Sequence, residues 1–237
     1  MIDPAGWLFR WGAAVRHRRF FHPDGVLTTG FLQRDAPADD GLPVPSATVN
    51  ARISKATGTP GPLPDAVGLA LRIPAPQHDH RCWDILLVSA GSGVFGRTLG
   101  VHPVASWSGL TLTTLMPLHY REQTWWLRAR LTTPVEGFGV ALSSIRKQLA
   151  TDQIGFELDQ ARGTGEFRPL AYLVLNDLDE ADGTGHDVSF DPTVNSAAGV
   201  ELRPRWLADL RASAYRGSRE GRAATNATRP VAGPRDG

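Results

Sequence analysis

The sequence predicts an α+β fold in which an antiparallel β-barrel or sandwich of about eight strands is followed by a C-terminal helix. Strand-length apolar runs recur along the chain at the short, regular spacing that is typical of such folds. Loops rich in proline and glycine separate these runs, as expected where a chain reverses direction. After the last run, residues 204–222 carry apolar side chains at helical spacing.

Bulk composition limits the classes of function. The chain has 237 residues, of which 41% are hydrophobic, and this suits one domain with a sizeable core. A formal net charge of +1 leaves no basic excess to neutralise phosphates, which argues against a dedicated nucleic-acid binder. The single cysteine, Cys82, excludes an internal disulfide and a cysteine-based zinc site.

The two ends of the sequence suggest where the protein works and where its folded part stops. The first 21 residues are apolar but interrupted by arginines, and they lack the small-residue cleavage site of a signal peptide. No stretch approaches the ~20 apolar residues of a membrane span. We therefore expect a cytoplasmic protein that contacts no membrane. Residues 223–237 have no apolar periodicity and predict a disordered tail, so the predicted domain covers residues 1–222.

The strand predictions rest on apolar runs of strand length. These runs are residues 26–32, 47–53, 67–73, 83–88, 110–116, 124–131, 154–158 and 170–175. Apolar and polar residues alternate at 47–53, which is typical of a strand with one buried face. The runs 67–73 and 83–88 flank a polar turn and therefore predict a β-hairpin. Residues 139–148 fit either a strand or a helix.

The predicted helix at residues 204–222 places a tyrosine between two arginines. Arg211 lies four residues before Tyr215, and residues four apart share a helix face. Arg222 falls near the same side two turns later. A neighbouring guanidinium favours the phenolate, and a metal ion favours it far more. Such a phenolate suits ferric heme, for which tyrosine is the proximal ligand in catalase. Taken alone, these residues also fit a basic amphipathic helix.

Four residues near the start of the chain, Arg19, His22, Gly25 and Gly30, have a distinctive spacing. It resembles the distal-histidine motif of heme catalases, in which an arginine precedes the essential histidine by three residues and glycines follow it by three and eight. Other segments resemble further motifs of that family, in family order. They are Arg52-Ile-Ser54, Pro64-Asp-Ala-Val-Gly68-Leu-Ala70, Trp83-Asp84-Ile-Leu, Phe190-Asp-Pro, Gly199-Val-Glu201 and Arg211-x-x-x-Tyr215-x-x-Ser218-x-x-x-Arg222.

The resemblance implies an antiparallel eight-stranded β-barrel of catalase type, with heme b (iron protoporphyrin IX) between the barrel and a C-terminal proximal helix. Tyr215 would be the iron ligand, and Arg211 would stabilise its phenolate. His22 would be the distal acid–base that moves a proton between the two oxygens of a peroxide. Ser54 would hold the His22 ring by a hydrogen bond. The residues that would pair with the heme propionates are Arg19, Arg52 and Arg222.

The chain departs from the family pattern on the distal side. The family's distal asparagine falls at Ser89 or a neighbouring residue, and a hydroxyl reaches less far than an amide. The arginine of the family's Arg-Gly-Phe hairpin is Val67 here. The chain is also about half the usual family length, which implies a more open heme pocket. We therefore expect peroxidase-like turnover of hydrogen peroxide or an organic hydroperoxide with an organic donor, and poor peroxide dismutation.

Two other functions stay open from the sequence. One is a heme enzyme that rearranges fatty-acid hydroperoxides, which needs a wide apolar pocket. The other is a catalytically silent barrel that binds a ligand or has lost heme. The expected partners are a small-molecule peroxide and an organic donor, with no nucleic acid and no membrane, and a homodimer stays open beside a monomer.

Overall fold

The computed structural model describes residues 25–74, 82–89, 101–178 and 190–203. These residues all belong to one compact unit. In chain order, the described elements are β1 (Gly25–Arg34), β2 (Ala47–Lys55), β3 (Val67–Ile73), β4 (Trp83–Ser89), β5 (Thr111–Thr114), β6 (Leu118–Tyr120), β7 (Gln123–Leu131), α1 (Leu142–Thr151), β8 (Ile154–Arg162), β9 (Arg168–Leu178) and β10 (Glu201–Leu202).

The strands form one antiparallel sheet that closes on itself. Their order is β10-β6-β7-β5-β4-β3-β2-β1-β9-β8, and β7 also pairs with β8. Strands β1, β2, β3, β4, β5, β7, β8 and β9 therefore form a ring of eight. Strand β6 continues beside β7 where β5 ends, and β10 pairs with β6. The prediction of an antiparallel eight-stranded barrel is confirmed, and the alternative of a sandwich is not.

Each of the predicted strand runs overlaps one ring strand, whereas the two shortest strands were not predicted. Strands β6 and β10 have 3 and 2 residues, too few for a periodic signal. The turn between β6 and β7 gives no glycine cue, because Arg121 and Glu122 themselves adopt positive φ angles of 48° and 60°. The ambiguous residues 139–148 resolve as the start of helix α1, which buries Ile145 and Leu149, four residues apart on one face.

The inner face of the ring is largely aliphatic. Side chains alternate between the two faces of a strand, and the inward set is almost fully buried. It includes Val26, Leu32, Val49, Ile53, Leu69, Leu71, Leu87, Leu112, Leu127, Phe156, Leu158, Leu173 and Leu175, each no more than 1% exposed. Side chains fill the interior, as in other small barrels. A ligand as large as a porphyrin must therefore bind elsewhere than among these side chains.

A loop organised by Arg34 closes one end of the ring. The Arg34 guanidinium donates hydrogen bonds of 2.6–3.3 Å to the backbone oxygens of Ala36, Pro37, Asp40, Leu42 and Val44. This fixes the loop between β1 and β2 so that Leu42 and Val44 plug the barrel, at 0% and 1% exposure. The sequence showed only a proline- and glycine-rich loop here.

The loop between β2 and β3 lies at the opposite end and is held by two buried charges. The Lys55 ammonium donates to the backbone oxygens of Gly61 and Leu63 at 2.9 and 3.0 Å. Burial lowers the pKa of Lys55, and Asp65 opposes that shift. Burial alone would raise the pKa of Asp65, but hydrogen bonds from Thr57 and Thr59 outweigh it and hold that pKa below its ordinary value.

Several predictions fall outside the described residues. They are the N-terminal motif through His22, the proximal helix at 204–222 and the tail at 223–237. A bilayer-spanning helix needs about 20 apolar residues, and the structure contains none of that kind within the described ranges.

Candidate functional site

Arg52 and Ser54 lie on the outer face of the barrel. They alternate along β2 with Ala51, Ile53 and Lys55, which are buried on the inner side at 3% exposure or less. Both outer side chains are half-buried. The sequence placed both residues in the heme site, and the structure brings these two together on one face.

Two glycines lie on the same outer face, beside Arg52 and Ser54. Gly25 pairs with Ser54 across β1 and β2, and Gly68 pairs with Ser54 across β2 and β3. A Cβ added to Gly25 would lie 2.2 Å from Arg52 Nε, so the arginine side chain runs directly over that glycine. A Cβ on Gly68 would lie 3.3 Å from Ser54 Oγ. The two glycines therefore leave space that the two polar side chains occupy.

Apolar side chains complete this surface, which we call the outer β1–β4 face. Leu27 pairs with Arg52, and Arg52 pairs with Ala70 on the next strand. Ala70 pairs in turn with Leu86, and Gly68 pairs with Val88. Directly opposite residues in an antiparallel pair point to one side, so all of these share the face of Arg52. Leu27, Ala70, Leu86 and Val88 are half-buried.

Ser89 does not join this group. It lies on the inner side of β4 at 1% exposure, where its hydroxyl donates to the His102 backbone oxygen at 2.7 Å and accepts from the Val67 amide at 3.1 Å. The residue of β4 that shares the face of Ser54 is Val88. Ser89 and Ser54 therefore lie on opposite faces of the sheet, since a shift of one residue moves a side chain to the other face, and a distal role for Ser89 or its neighbour stays a prediction.

A buried carboxylate next to the outer β1–β4 face holds the last described segment. Asp84 Oδ1 and Oδ2 each accept a 2.7 Å bond from the Arg72 guanidinium. Asp84 Oδ2 also accepts from the Asp191 amide and from Asn195 Nδ2, both at 2.7 Å. The hydrogen bond to Asp84 is the main cause that raises the pKa of Arg72. The Arg72 guanidinium lies 5.3 Å from the centroid of the Phe190 ring.

The sequence named Trp83-Asp84 and Phe190-Asp-Pro as separate motifs, and the structure joins them. Their partner Arg72, which carries the contact, was not singled out. The signal that could have revealed it is its place at an outward position of β3, on the face of Gly68 and Ala70, where an isolated charge needs a partner.

The remaining predicted site residues lie outside the described ranges. They are Arg19, His22, Arg211, Tyr215 and Arg222. Within the described ranges, the structure holds no group of three or more His, Cys, Asp or Glu side chains arranged for a metal ion. A tyrosine-ligated heme would need no such group, because one side chain and the porphyrin nitrogens hold its iron.

The outer β1–β4 face has the chemistry of a surface for a flat, mostly apolar molecule that carries a carboxylate. Its aliphatic side chains offer contact area, and its glycines leave room for the side chains of Arg52 and Ser54. Its guanidinium can bind both oxygens of a carboxylate. In comparisons with known proteins, no family model and no curated protein matches the chain.

Proposed function

We propose that the chain is a heme-dependent peroxidase of catalase type, acting on hydrogen peroxide or an organic hydroperoxide with an organic donor. The observation that carries the proposal is the placement of Arg52 and Ser54 together on the outer β1–β4 face, beside Gly25 and Gly68. The motifs that suggested heme from the sequence use these same residues. The aliphatic filling of the barrel interior supports a site outside it.

The described residues suit a heme edge in charge and in apolar character. A porphyrin is flat and apolar and carries two propionates, so it needs aliphatic contact and guanidinium partners. The aliphatic contact would come from Leu27, Ala70, Leu86 and Val88. Arg52 would supply one guanidinium partner for a propionate. A side chain larger than hydrogen at Gly68 would reduce the space beside Ser54.

In this proposal, Tyr215 would hold the iron of the group, and Arg211 would keep the Tyr215 phenol ionised. Heme, when bound, supplies the iron and the electrons that cleave a peroxide O–O bond. His22 takes a proton from one peroxide oxygen and delivers it to the other, while Ser54 holds the imidazole. The donor would supply two electrons and two protons, so that an organic hydroperoxide ends as alcohol and water and hydrogen peroxide ends as two waters.

The structure of β4 bears on which reaction is favoured. Val88 shares the face of Ser54, and its side chain cannot donate a hydrogen bond to a second peroxide molecule. Donor-dependent peroxidation is therefore expected to exceed dismutation. The same aliphatic face also suits the chain of a fatty-acid hydroperoxide, so rearrangement of such a substrate is the second candidate. This rearrangement, unlike peroxidation, needs no external electron donor.

Hemin binding is the first test of the proposal. The protein expressed with iron supplied, or titrated with hemin, should show a strong Soret band. Tyr215→Phe should abolish retention of the group, whereas His22→Ala should keep it and lose turnover. Arg52→Ala should weaken hemin binding about tenfold, the loss expected for one charged hydrogen-bonding partner.

The chain offers a matched control for Arg52. Arg130 is also a half-exposed arginine of the ring, at 46% side-chain exposure, and it lies on β7, opposite β2 in the ring of eight. Arg130→Ala should leave hemin affinity unchanged. Equal losses in the two variants, or a wild-type protein that refuses hemin, would refute the proposed site.

Substrate assays separate the two candidate reactions. Hydrogen peroxide with a dye donor should give turnover, and hydrogen peroxide alone should give little oxygen. Rapid consumption of a lipid hydroperoxide without any donor would favour the rearrangement instead.

A further inference from the structure

Thr113 carries a buried hydroxyl on the outside of the barrel. The residue is 0% exposed, and within the part of the chain that the structure describes its Oγ1 has no hydrogen-bond partner. A buried polar group without a partner lowers stability, so such groups are uncommon in folded proteins. An unpaired hydroxyl of this kind marks a place where a bound molecule can supply the missing bond.

The register of the sheet places Thr113 in line with the outer β1–β4 face. Thr113 pairs with Val88 across β4 and β5, Val88 pairs with Gly68, and Gly68 pairs with Ser54. Directly opposite residues point to one side of an antiparallel sheet, so Thr113 and Ser54 share a face. Three strand spacings, about 14 Å, separate them. A molecule at Thr113 can therefore bind without occupying the Ser54 hydroxyl.

The neighbouring residue Thr114 provides a direct contrast. It pairs with Leu87 and points into the barrel, where its Oγ1 accepts from the Leu127 amide at 3.3 Å. Threonine suits a strand on either face, so strand propensity explains both residues equally. It does not explain why the outward hydroxyl is buried without a bond while the inward hydroxyl has one.

The side chains around Thr113 are apolar on one flank and aromatic on the other. Val88 lies opposite on β4. Arg128 lies opposite on β7, and its guanidinium is 4.2 Å from the centroid of the Phe167 ring. Trp126 is two residues before Arg128 on the same face, which makes it a diagonal neighbour of Thr113. Val88 and Trp126 are half-buried, so the surface beside Thr113 reaches solvent.

The charge next to Thr113 is compensated within the protein. Arg128 donates from Nε and Nη2 to Asp159 Oδ2 at 2.9 and 2.8 Å, and Asp159 is 3% exposed. An anion here would meet the carboxylate and a cation would meet the guanidinium, so the site favours a neutral molecule. A flat ring with one hydroxyl matches the apolar and aromatic neighbours and the single Thr113 hydroxyl. A phenol is such a molecule, and it is neutral at pH 7 because its pKa is about 10.

We propose that Thr113 is a further binding residue for the organic donor, and that this donor is a phenol whose hydroxyl bonds to Thr113 Oγ1. This rests on the proposed function. Two phenol molecules each lose one electron and one proton, which together reduce one organic hydroperoxide to alcohol and water. The residues that form the donor site all belong to β4, β5 and β7 of the barrel.

Naphthol and fluoronaphthalene test the proposal as a pair, because fluorine is close in size to a hydroxyl but donates no hydrogen bond. The wild type should bind naphthol at least tenfold more tightly, measured by ligand fluorescence both with and without hemin. In Thr113→Val, which has nearly the same volume, the two affinities should become about equal. The KM for naphthol in the hemin-loaded variant should rise at least tenfold.

Thr114→Val is the matched control, because it removes the adjacent hydroxyl from the inner face. The Leu127 amide loses its acceptor, so the melting temperature should fall by several degrees, while the preference for naphthol should match that of the wild type. Thr113→Val breaks no hydrogen bond among the described residues, so its melting temperature should stay at or above that of the wild type.

Three results would overturn the inference. They are a wild type without preference for naphthol, a Thr113→Val variant that keeps the preference, and a melting temperature that falls as far in Thr113→Val as in Thr114→Val. The titration without hemin separates this inference from the proposed function. A protein that binds naphthol through Thr113 but binds no hemin has the phenol site and lacks the donor role, whereas one that binds hemin without a preference for naphthol refutes only the phenol site.

Discussion

The two faces of strands β1–β4 differ sharply in composition, although alternating residues of the same four strands form both. The inner face consists mainly of Val, Leu and Ile side chains at 0–3% exposure, with Lys55 and Ser89 buried at its edges. The outer face mixes aliphatic residues with glycines, two arginines, a serine and a buried aspartate, and most of it is half-buried. The inner face is sufficient to close the barrel, and the outer face carries features that closure does not require.

This comparison separates stability from function in one sheet. Aliphatic burial stabilises by about 25 cal/mol per Å² and needs no specific partner. The buried ion pair of Asp84 with an arginine adds little stability beyond what hydrophobic packing would give at the same place. The same holds for the two glycines beside Arg52. Such residues on the outer face are therefore where a ligand or a docked segment is to be sought.

The largest expected effect comes from the inner face. Leu87→Ala would leave a cavity at a fully buried position. The free energy of unfolding should fall by about 2–5 kcal/mol, which urea denaturation measures. Hemin affinity of the folded protein should stay within about twofold of the wild type. A tenfold loss of affinity without loss of stability would contradict the division between the faces.

A pair of glycine variants sharpens the comparison. A Cβ on inward-facing Gly30 would lie 2.1 Å from the Val174 backbone oxygen and 2.9 Å from the Leu175 Cα. Gly30→Ala must therefore displace strand β9 and should destabilise by about 1–3 kcal/mol or more. In Gly68→Ala the new Cβ meets the Ser54 hydroxyl at 3.3 Å and makes ordinary contacts with the Leu87 backbone oxygen at 3.7 Å and Val88 Cγ1 at 4.0 Å. This substitution should change stability by less than about 1 kcal/mol but weaken hemin binding. Thermal melts and hemin titration of both variants would decide this.

The two serines compare the faces through single hydroxyl groups. Ser89→Ala leaves the buried amide of Val67 without its acceptor, so stability should fall by about 1–2 kcal/mol while donor-dependent turnover persists. Ser54→Ala should show the reverse, with near-normal stability and reduced turnover. If Ser89→Ala removed turnover instead, the faces assigned to the serines would not explain the chemistry.

The strands were predictable because each signal lies within a few residues. Alternation at β2 and the two apolar runs of β3 and β4 are local patterns, and the residues between the two runs are mostly polar. The face of Ser89 was not predictable for a related reason. A motif read along the chain gives positions to within about a residue, but one residue decides whether a side chain enters the barrel or leaves it.

The sequence alone determined the class of fold, the number of ring strands and the residues that bear the proposed chemistry, since periodicity and spacing are properties of the chain itself. Tertiary structure decided how the ring closes through β7 and β8, which face each polar residue occupies, and that Asp84 meets Asp191 and Asn195. These are pairings between residues far apart in the chain. They depend on register and three-dimensional packing, which no local pattern encodes.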